Sequence, residues 1–312
     1  MFEMSAVLAS PSTNNTESIK AEVTPPVTTS NSNEYLERCA RINQKASFKE
    51  PLDNLFQAEK LPALPNETNY LDSRGRALPA SNALRARLAA CSPEEREEII
   101  YKASINRLKD RCPGNFIVEA GKFAAVTCWE PRFAPPPPSG SDKNLQVSDG
   151  MVHGQSIAEI ATTRPVFGAF AEDTEKAKLE HLYPLLWRHA ATAPTDYLSK
   201  PSCPHTRNVL GLNAAEGRQD ARLLYWKLCM TSRNPAVQPP VPGAVRAIIE
   251  PFAKRWVHED GMPVVWLEAG GPRARDVYSY FGFRCVGEST VGENNEGKPI
   301  TTWYMMYTKD SP

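Results

Sequence analysis

The chain has 312 residues, 41% hydrophobic and 9% aromatic, which is enough apolar material to bury a sizeable core and sets aside a wholly disordered protein. Thirty-six Lys and Arg balance 36 Asp and Glu and the isoelectric point is near 7.0, so no long-range field draws in nucleic acid or an anionic membrane surface. The seven cysteines (Cys39, Cys91, Cys112, Cys128, Cys203, Cys229, Cys285) are odd in number and never fall as C-x-x-C, which implies neither a disulfide framework nor a zinc ribbon. No run reaches the ~18 to 20 apolar residues of a membrane span, and residues 1–10 lack the basic and apolar regions of a leader. The expectation is a soluble protein of a reducing compartment, the cytoplasm.

Residues 1–33 are mostly Ser, Thr, Asn, Pro and Val with few large apolar side chains, and read as a disordered tail before one domain over 34–312. Residues 79–110 are rich in Ala, Leu, Arg and Glu. There Ser92, Pro93, Glu94 and Glu95 supply a cap, an N1 proline and first-turn acids, so a helix is expected with a break near Cys91. The apolar runs 115–120 and 123–129, split by Gly121 and Lys122, read as a hairpin. The 28 prolines are about 9% of the chain against a usual ~5%, and Pro135 to Pro138 read as a polyproline linker. A helix is expected over 171–183, stopped or bent by Pro184, and loop over 192–220.

Residues 221–231 are apolar on both faces, as in a central strand. After a proline-rich loop, Val245, Ile248, Ile249, Phe252 and Trp256 form one stripe at helical spacing that runs to Gly261, with Pro251 bending it. A second buried strand (263–269), a short helix (273–281) and a closing hairpin (284–289 with 301–307) complete the order. There is no internal repeat. The five histidines form no H-E-x-x-H and no Cys-backed pair, so no metal site is expected, and G-x-S-x-G is absent.

Four segments in this order, ARLLYWKLCMT followed by N-P-A-V-Q, G-A-V-R-A-I-I-E-P-F, G-M-P-V-V-W-L-E-A and R-D-V-Y-S-Y-F-G-F, resemble the GNAT superfamily of acyl-CoA-dependent N-acetyltransferases, its fungal small-molecule members in particular. Tyr278, Gly282 and Phe283 match the family's Y-x-x-x-G-F. The resemblance covers 221–283 well and, more loosely, 115–130 and the segment 47–56, which looks like the family's first helix. It implies an α/β fold of GNAT type, a mixed and twisted central sheet with helices on both faces, with 131–220 as an insertion over the acceptor side. It further implies acetyl transfer from acetyl-CoA to a small amine, in fungal secondary metabolism, by direct attack in a ternary complex.

That chemistry assigns tasks to residues. The family's pyrophosphate loop reads Q/R-x-x-G-x-G/A. Here Gln238 stands first and Gly243 last, the middle glycine is Val241, and Pro239, Pro240 and Pro242 lack N–H donors, which leaves the amides of Val241, Gly243, Ala244 and Val245. A backbone amide near Cys229, Met230 or Thr231 would meet the oxyanion. Tyr278 would protonate the departing thiolate, or else simply pack with Val277 and Phe281 on a helix face. Glu268 and Glu130 are candidate bases acting through water, with an unassisted neutral amine as the alternative. Arg273 and Arg275 are placed to meet cofactor phosphates. The proline-filled loop leaves a second reading open, a non-catalytic GNAT-like binding protein.

Overall fold

The computed structural model describes residues 24–30, 32–48, 50–59, 61–65, 69–71, 77–79, 81–109, 116–133, 151–152, 155–156, 176–194, 223–293 and 298–312. Strands β1 (Val27–Thr29), β2 (Phe116–Ala120), β3 (Ala125–Phe133), β4 (Leu223–Arg233), β5 (Val264–Ala269), β6 (Arg284–Glu293) and β7 (Pro299–Thr308) form one seven-stranded sheet in the order β1-β2-β3-β4-β5-β7-β6. Only β4 and β5 run parallel. Their connection is long enough to lay helix across the sheet, as a parallel pair requires.

Helices α1 (Asn33–Ser47), α2 (Pro51–Ala58), α3 (Ser81–Ala90), α4 (Pro93–Lys109) and α5 (Tyr183–Ala190) precede β4 or flank it in sequence. Between β4 and β5 lie α6 (Ala244–Ala247) and α7 (Glu250–Lys254), the latter continued by a π-helical turn (Arg255–Glu259); α8 (Pro272–Tyr280) follows β5. One sheet face is mostly apolar. Phe116, Trp129, Trp226, Leu228, Val265, Leu267 and Met305 pack there against Ile248, Phe252, Trp256 and Phe281. Trp256 stacks on Trp226 (centroids 4.4 Å, planes 8° apart) and meets Trp129 edge-on at 4.9 Å. The opposite face carries two separate apolar clusters, one beneath α1 and α4 (Ile117, Val126, Cys128, Met230), the other beneath α5 (Tyr225, Val264, Trp266, Tyr304, Met306). This is the mixed α/β sheet, with helices on both faces, that the motifs imply.

Several expectations hold in detail. The break near Cys91 separates α3 from α4, and Ser92 and Glu95 form a reciprocal cap: the Glu95 N–H donates to Ser92 Oγ (3.1 Å) and the Ser92 N–H to the Glu95 carboxylate (2.8 Å). Others are corrected. Residues 27–29, inside the expected tail, pair with β2 in the register Val27↔Ala120 to Thr29↔Val118, and the Thr28 hydroxyl bonds the Glu119 carboxylate; Ser32 caps α1. Residues 1–23 lie outside the described residues. The segment 47–56 runs into the second helix, not the first. The helix expected to stop or bend at Pro184 does so, residues 176–181 being helical and Leu182 a turn; what differs is that a new helix, α5, opens there, because the proline's missing N–H falls where no intrahelical bond is needed.

In the β2–β3 hairpin the turn takes Gly121, Lys122 and Phe123 at positive φ (65°, 57° and 67°), so Phe123 is turn and not strand. The 245–256 stripe is not one helix. The chain leaves helical geometry at Ile249 (φ −121°, ψ −65°) and resumes with Pro251 in the first turn of α7. The polyproline segment 135–138 and most of the insertion 131–220 fall outside the described residues; within it, Met151–Val152 and Gln155–Ser156 form a two-stranded pair.

Gly282 is the position where glycine is required. Its φ is +90°, and a Cβ there would lie 3.0 Å from Tyr307 Cε2 and 3.2 Å from Pro312. Gly282→Ala should therefore cost about 1–3 kcal/mol of stability, measurable by urea unfolding, with no change in the slope. An unchanged midpoint would show that the Pro312 end yields freely.

Candidate active site

The site is set by a fault between the two central strands. β4 and β5 pair at Trp226↔Val265, Lys227↔Trp266 and Leu228↔Leu267 and then stop, although β4 continues to Arg233 and β5 to Ala269. At the same level β4 changes register against β3: Trp129 faces Leu228 and Cys128 faces Met230, so Cys229 is an extra residue. Such a bulge bends its strand, and it sits where β4 leaves β5. The result is a cleft between Cys229–Arg233 and the end of β5. Cys229, Met230 and Thr231, on the strand expected to carry the oxyanion contact, thus lie just past the last position of β4 paired with β5. The Cys229 carbonyl accepts from Arg107 Nη1 at 3.2 Å.

Tyr278, on α8, reaches this stretch of β4. Its hydroxyl approaches the Thr231 side chain, Thr231 Oγ1 is 2.9 Å from Thr127 Oγ1, and Thr127 Oγ1 donates to the Met230 carbonyl at 2.7 Å. Burial raises the phenol's pKa, outweighing the nearby Thr231 side chain, which lowers it. Packing and chemistry meet in this residue, since the same ring lies edge-on to Phe283 with centroids 6.2 Å apart.

The loop after β4 is mixed in character. Gln238 is exposed, its side chain donates to the Pro235 carbonyl at 3.3 Å, and its peptide bond to Pro239 is cis. Val241 packs against the apolar core near Gly121, so its side chain pins the loop to the β2–β3 turn. Gly243 caps α6 at φ 73°; Ala244 N–H makes a long 3.4 Å bond to the Val241 carbonyl, and the amides of Gly243 and Val245 have no backbone partner among the described residues. Because α6 is only four residues long, the grip on an anion would come from those amides and not from an extended helix dipole. Arg246 pairs with Glu250 at 2.9 Å and lies over the Tyr280 ring at 4.7 Å. Arg275 is engaged by Asp276 (2.8 Å) and the Trp303 ring (5.1 Å), while Arg273 is exposed.

Glu130 and Glu268 both sit on the opposite face, Glu268 one residue past the last position of β5 paired with β4 and Glu130 across from Lys227, before the split. Burial would raise the Glu130 carboxyl, but Lys227, Arg132 and Arg107 together with a hydrogen bond from Cys229 outweigh it and hold the group below the usual carboxylate range; Arg132 is 2.7 Å away. Glu268 is paired through Oε2 with Lys178 at 2.9 Å. Sequence reasoning did not single out Lys227, which faces Glu130 across β3–β4 and lies 4.7 Å above the Trp266 ring. Burial pushes its ammonium down to about 8, with Lys178 adding to the effect. A lone cation in the apolar run LLYWKLCM was the available signal. Lys178 and Arg107 carried none, since each is an ordinary helix residue in sequence.

No protein-family model matches the chain. A curated protein of Saccharomyces cerevisiae, named increased recombination centers protein 11, is 33% identical over 96 residues, covering 28% of this chain and 60% of that protein. The chain thus spans about 60% of the length of the curated relative it matches. Among solved structures, the chain is similar to a histone acetyltransferase HPA2 and related acetyltransferase from Corynebacterium glutamicum (TM-score 0.36, 14% identity, 93% of this chain and 98% of that one). It is also similar to arylalkylamine N-acetyltransferase 2 from Aedes aegypti (TM-score 0.38, 12% identity, 91% and 98%). A third similarity is to the C-terminal condensation domain of Ebony in complex with beta-alanyl-dopamine (TM-score 0.40, 10% identity, 91% and 100%).

Proposed function

We propose that the chain is an acetyl-CoA-dependent N-acetyltransferase that modifies a small amine by direct transfer in a ternary complex. The observation that carries this reading is the cleft between β4 and β5 with the Tyr278 hydroxyl close to its wall at Thr231. In this reading the pantetheine arm of acetyl-CoA enters the cleft from the face of α6 and α8, and the amides of Val241, Gly243, Ala244 and Val245 meet the diphosphate. An amide of the Cys229–Thr231 wall steadies the carbonyl oxygen as it gains charge. Tyr278, kept protonated by burial, donates to the leaving sulfur. Glu268 or Glu130 relieves the amine of its proton through water. Glu130 is the weaker base of its kind because neighbouring cations hold its proton affinity down.

A fungal setting, a role in secondary metabolism and a cytoplasmic location belong to the same proposal, with neither nucleic acid nor membrane as partner. No helix among the described residues is long and apolar enough to cross a membrane. A second reading, a binding protein that no longer transfers acetyl groups, is favoured by the three prolines of the loop and the single turn of α6.

A thermal-shift series with coenzyme A and acetyl-CoA tests the first step. Binding at 100 times the dissociation constant contributes about 2.7 kcal/mol and raises the melting temperature accordingly. Gly243→Glu should abolish that shift, because it sets a carboxylate beside the diphosphate and strains a left-handed position. The readout is the difference made by the ligand, so a lower starting melting temperature in the variant does not matter. No shift at millimolar acetyl-CoA rules the transferase out, whereas a shift without transfer to any amine favours the binding protein.

A further inference from the structure

Two ionisable side chains on the sheet face beneath α1 and α5 each present a polar atom with no bonding partner among the described residues, and they carry opposite charge. Lys227 is largely buried, yet among the described residues its Nζ makes neither a hydrogen bond nor an ion pair, its contact being the Trp266 ring. Glu268 uses Oε2 for Lys178, while Oε1 is buried with no hydrogen-bond partner. Burying an ionised group without a partner is unfavourable, so each atom is a place where a ligand atom would be stabilised.

Their placement is specific. Lys227 stands opposite Trp266, and Glu268 is two residues further along β5, so the side chains project from the same face with about 7 Å of strand between them. The two attract one another, but no ion pair closes between them. Lys178, Glu130 and Arg132 also face Lys227, and Tyr304 faces Glu268 and Lys178, so the pair sits in a polar patch between two apolar clusters. Glu268 lies one residue beyond the last paired position, Leu267, at the cleft. Lys227 lies one residue before Leu228, behind it.

We propose that Lys227 and Glu268 form the acceptor subsite and that the acceptor is an amino acid, its carboxylate held by Lys227 Nζ and its amino group by Glu268 Oε1. The inference rests on the transferase reading and names its substrate class. The amino group is thereby delivered to the cleft. The ammonium gives one proton to Glu268 Oε1, and the freed lone pair forms the C–N bond as the C–S bond breaks. The sulfur takes the Tyr278 proton, and the second proton of the amine nitrogen leaves through solvent as Tyr278 is reprotonated.

The test is binding, read by calorimetry on the full chain with coenzyme A present. The probes are matched sets: tyrosine, tyramine and 4-hydroxyphenylpropionate; tryptophan, tryptamine and indolepropionate; arginine and agmatine; glycine and methylamine. In at least one set the amino acid should bind at least about tenfold more tightly than the member lacking either charge, since a charged hydrogen bond contributes that much. Lys227→Met should erase the advantage over the amine, and Glu268→Gln the advantage over the acid, with both variants checked for wild-type melting behaviour. Should Lys227→Met fail to fold, Lys227→Gln serves in its place. Amines binding as tightly as amino acids, or no member binding at all, overturns the proposal. Acetylation of amines without any preference for a carboxylate leaves the transferase standing while this inference falls.

Discussion

Trp256→Ala is expected to remove about 4 kcal/mol of stability, enough to leave a domain of this size partly unfolded at 37 °C. Trp256 is fully buried at the centre of an aromatic group: it stacks on Trp226, meets Trp129 and Phe116 edge-on at 4.9 and 6.1 Å, and lies 5.7 Å from Phe252. Truncation removes both the transferred area and the ring contacts. The cavity cannot collapse, because its walls come from three strands and from α7, each fixed by its own hydrogen bonds. The backbone there is also unusual, since Trp256 lies in the π turn and its carbonyl receives the Met262 N–H at 2.8 Å. Urea unfolding followed by far-ultraviolet circular dichroism gives the number. A loss below about 1 kcal/mol would mean that the aromatic group repacks, contrary to this account.

Tyr278→Phe should lower kcat by about a hundredfold or more while the KM for acetyl-CoA stays within a few fold. The ring remains, so the contact with Phe283 is kept, and Thr231 retains Thr127 as a partner. Only the proton donor is lost. Burial raises the phenol's pKa, so the wild-type enzyme should keep its kcat on the alkaline side through the range where an ordinary tyrosine, near ~10, begins to ionise. Stopped assays of free thiol with the best acceptor measure both parameters. Equal kcat values for wild type and variant would reduce Tyr278 to a packing residue, which is the other role its place on α8 permits.

Much of the sheet can be read from the residues themselves, because central strands need apolar side chains on both faces. LLYWKLCM and VVWLEA fold as the parallel pair for that reason. The Ser92 and Glu95 cap is equally local, a bond pattern fixed within four residues. What depends on distant partners was not legible. Val27–Thr29 is a strand only because the edge of β2 offers Val118, Glu119 and Ala120, and nothing in Val-Thr-Thr announces that. The stripe from Val245 to Trp256 gave the buried face correctly but not the interruption at Ile249, which follows from Pro251 opening a new turn. At the site, Tyr278 is recognisable by its motif. The two glutamates are recognisable only as acids near strand ends. That both share a face with Lys227 follows from strand alternation plus a register that the Cys229 bulge shifts by one, and a bulge leaves no mark in composition.

The sheet's two faces divide the molecule's obligations. One is a hydrocarbon and indole layer, broken only where Thr127, Thr231 and Tyr278 meet, in which most changes weaken folding; the other interrupts its apolar ground with Glu130, Lys227 and Glu268. In the proposed function, exchanging those charges would alter what is recognised while the tryptophan layer behind them still holds the strands in register. If the proposed acceptor subsite holds, a lineage built on this scaffold could therefore drift from one acceptor to another by substituting side chains on a single surface, without passing through an unstable ancestor.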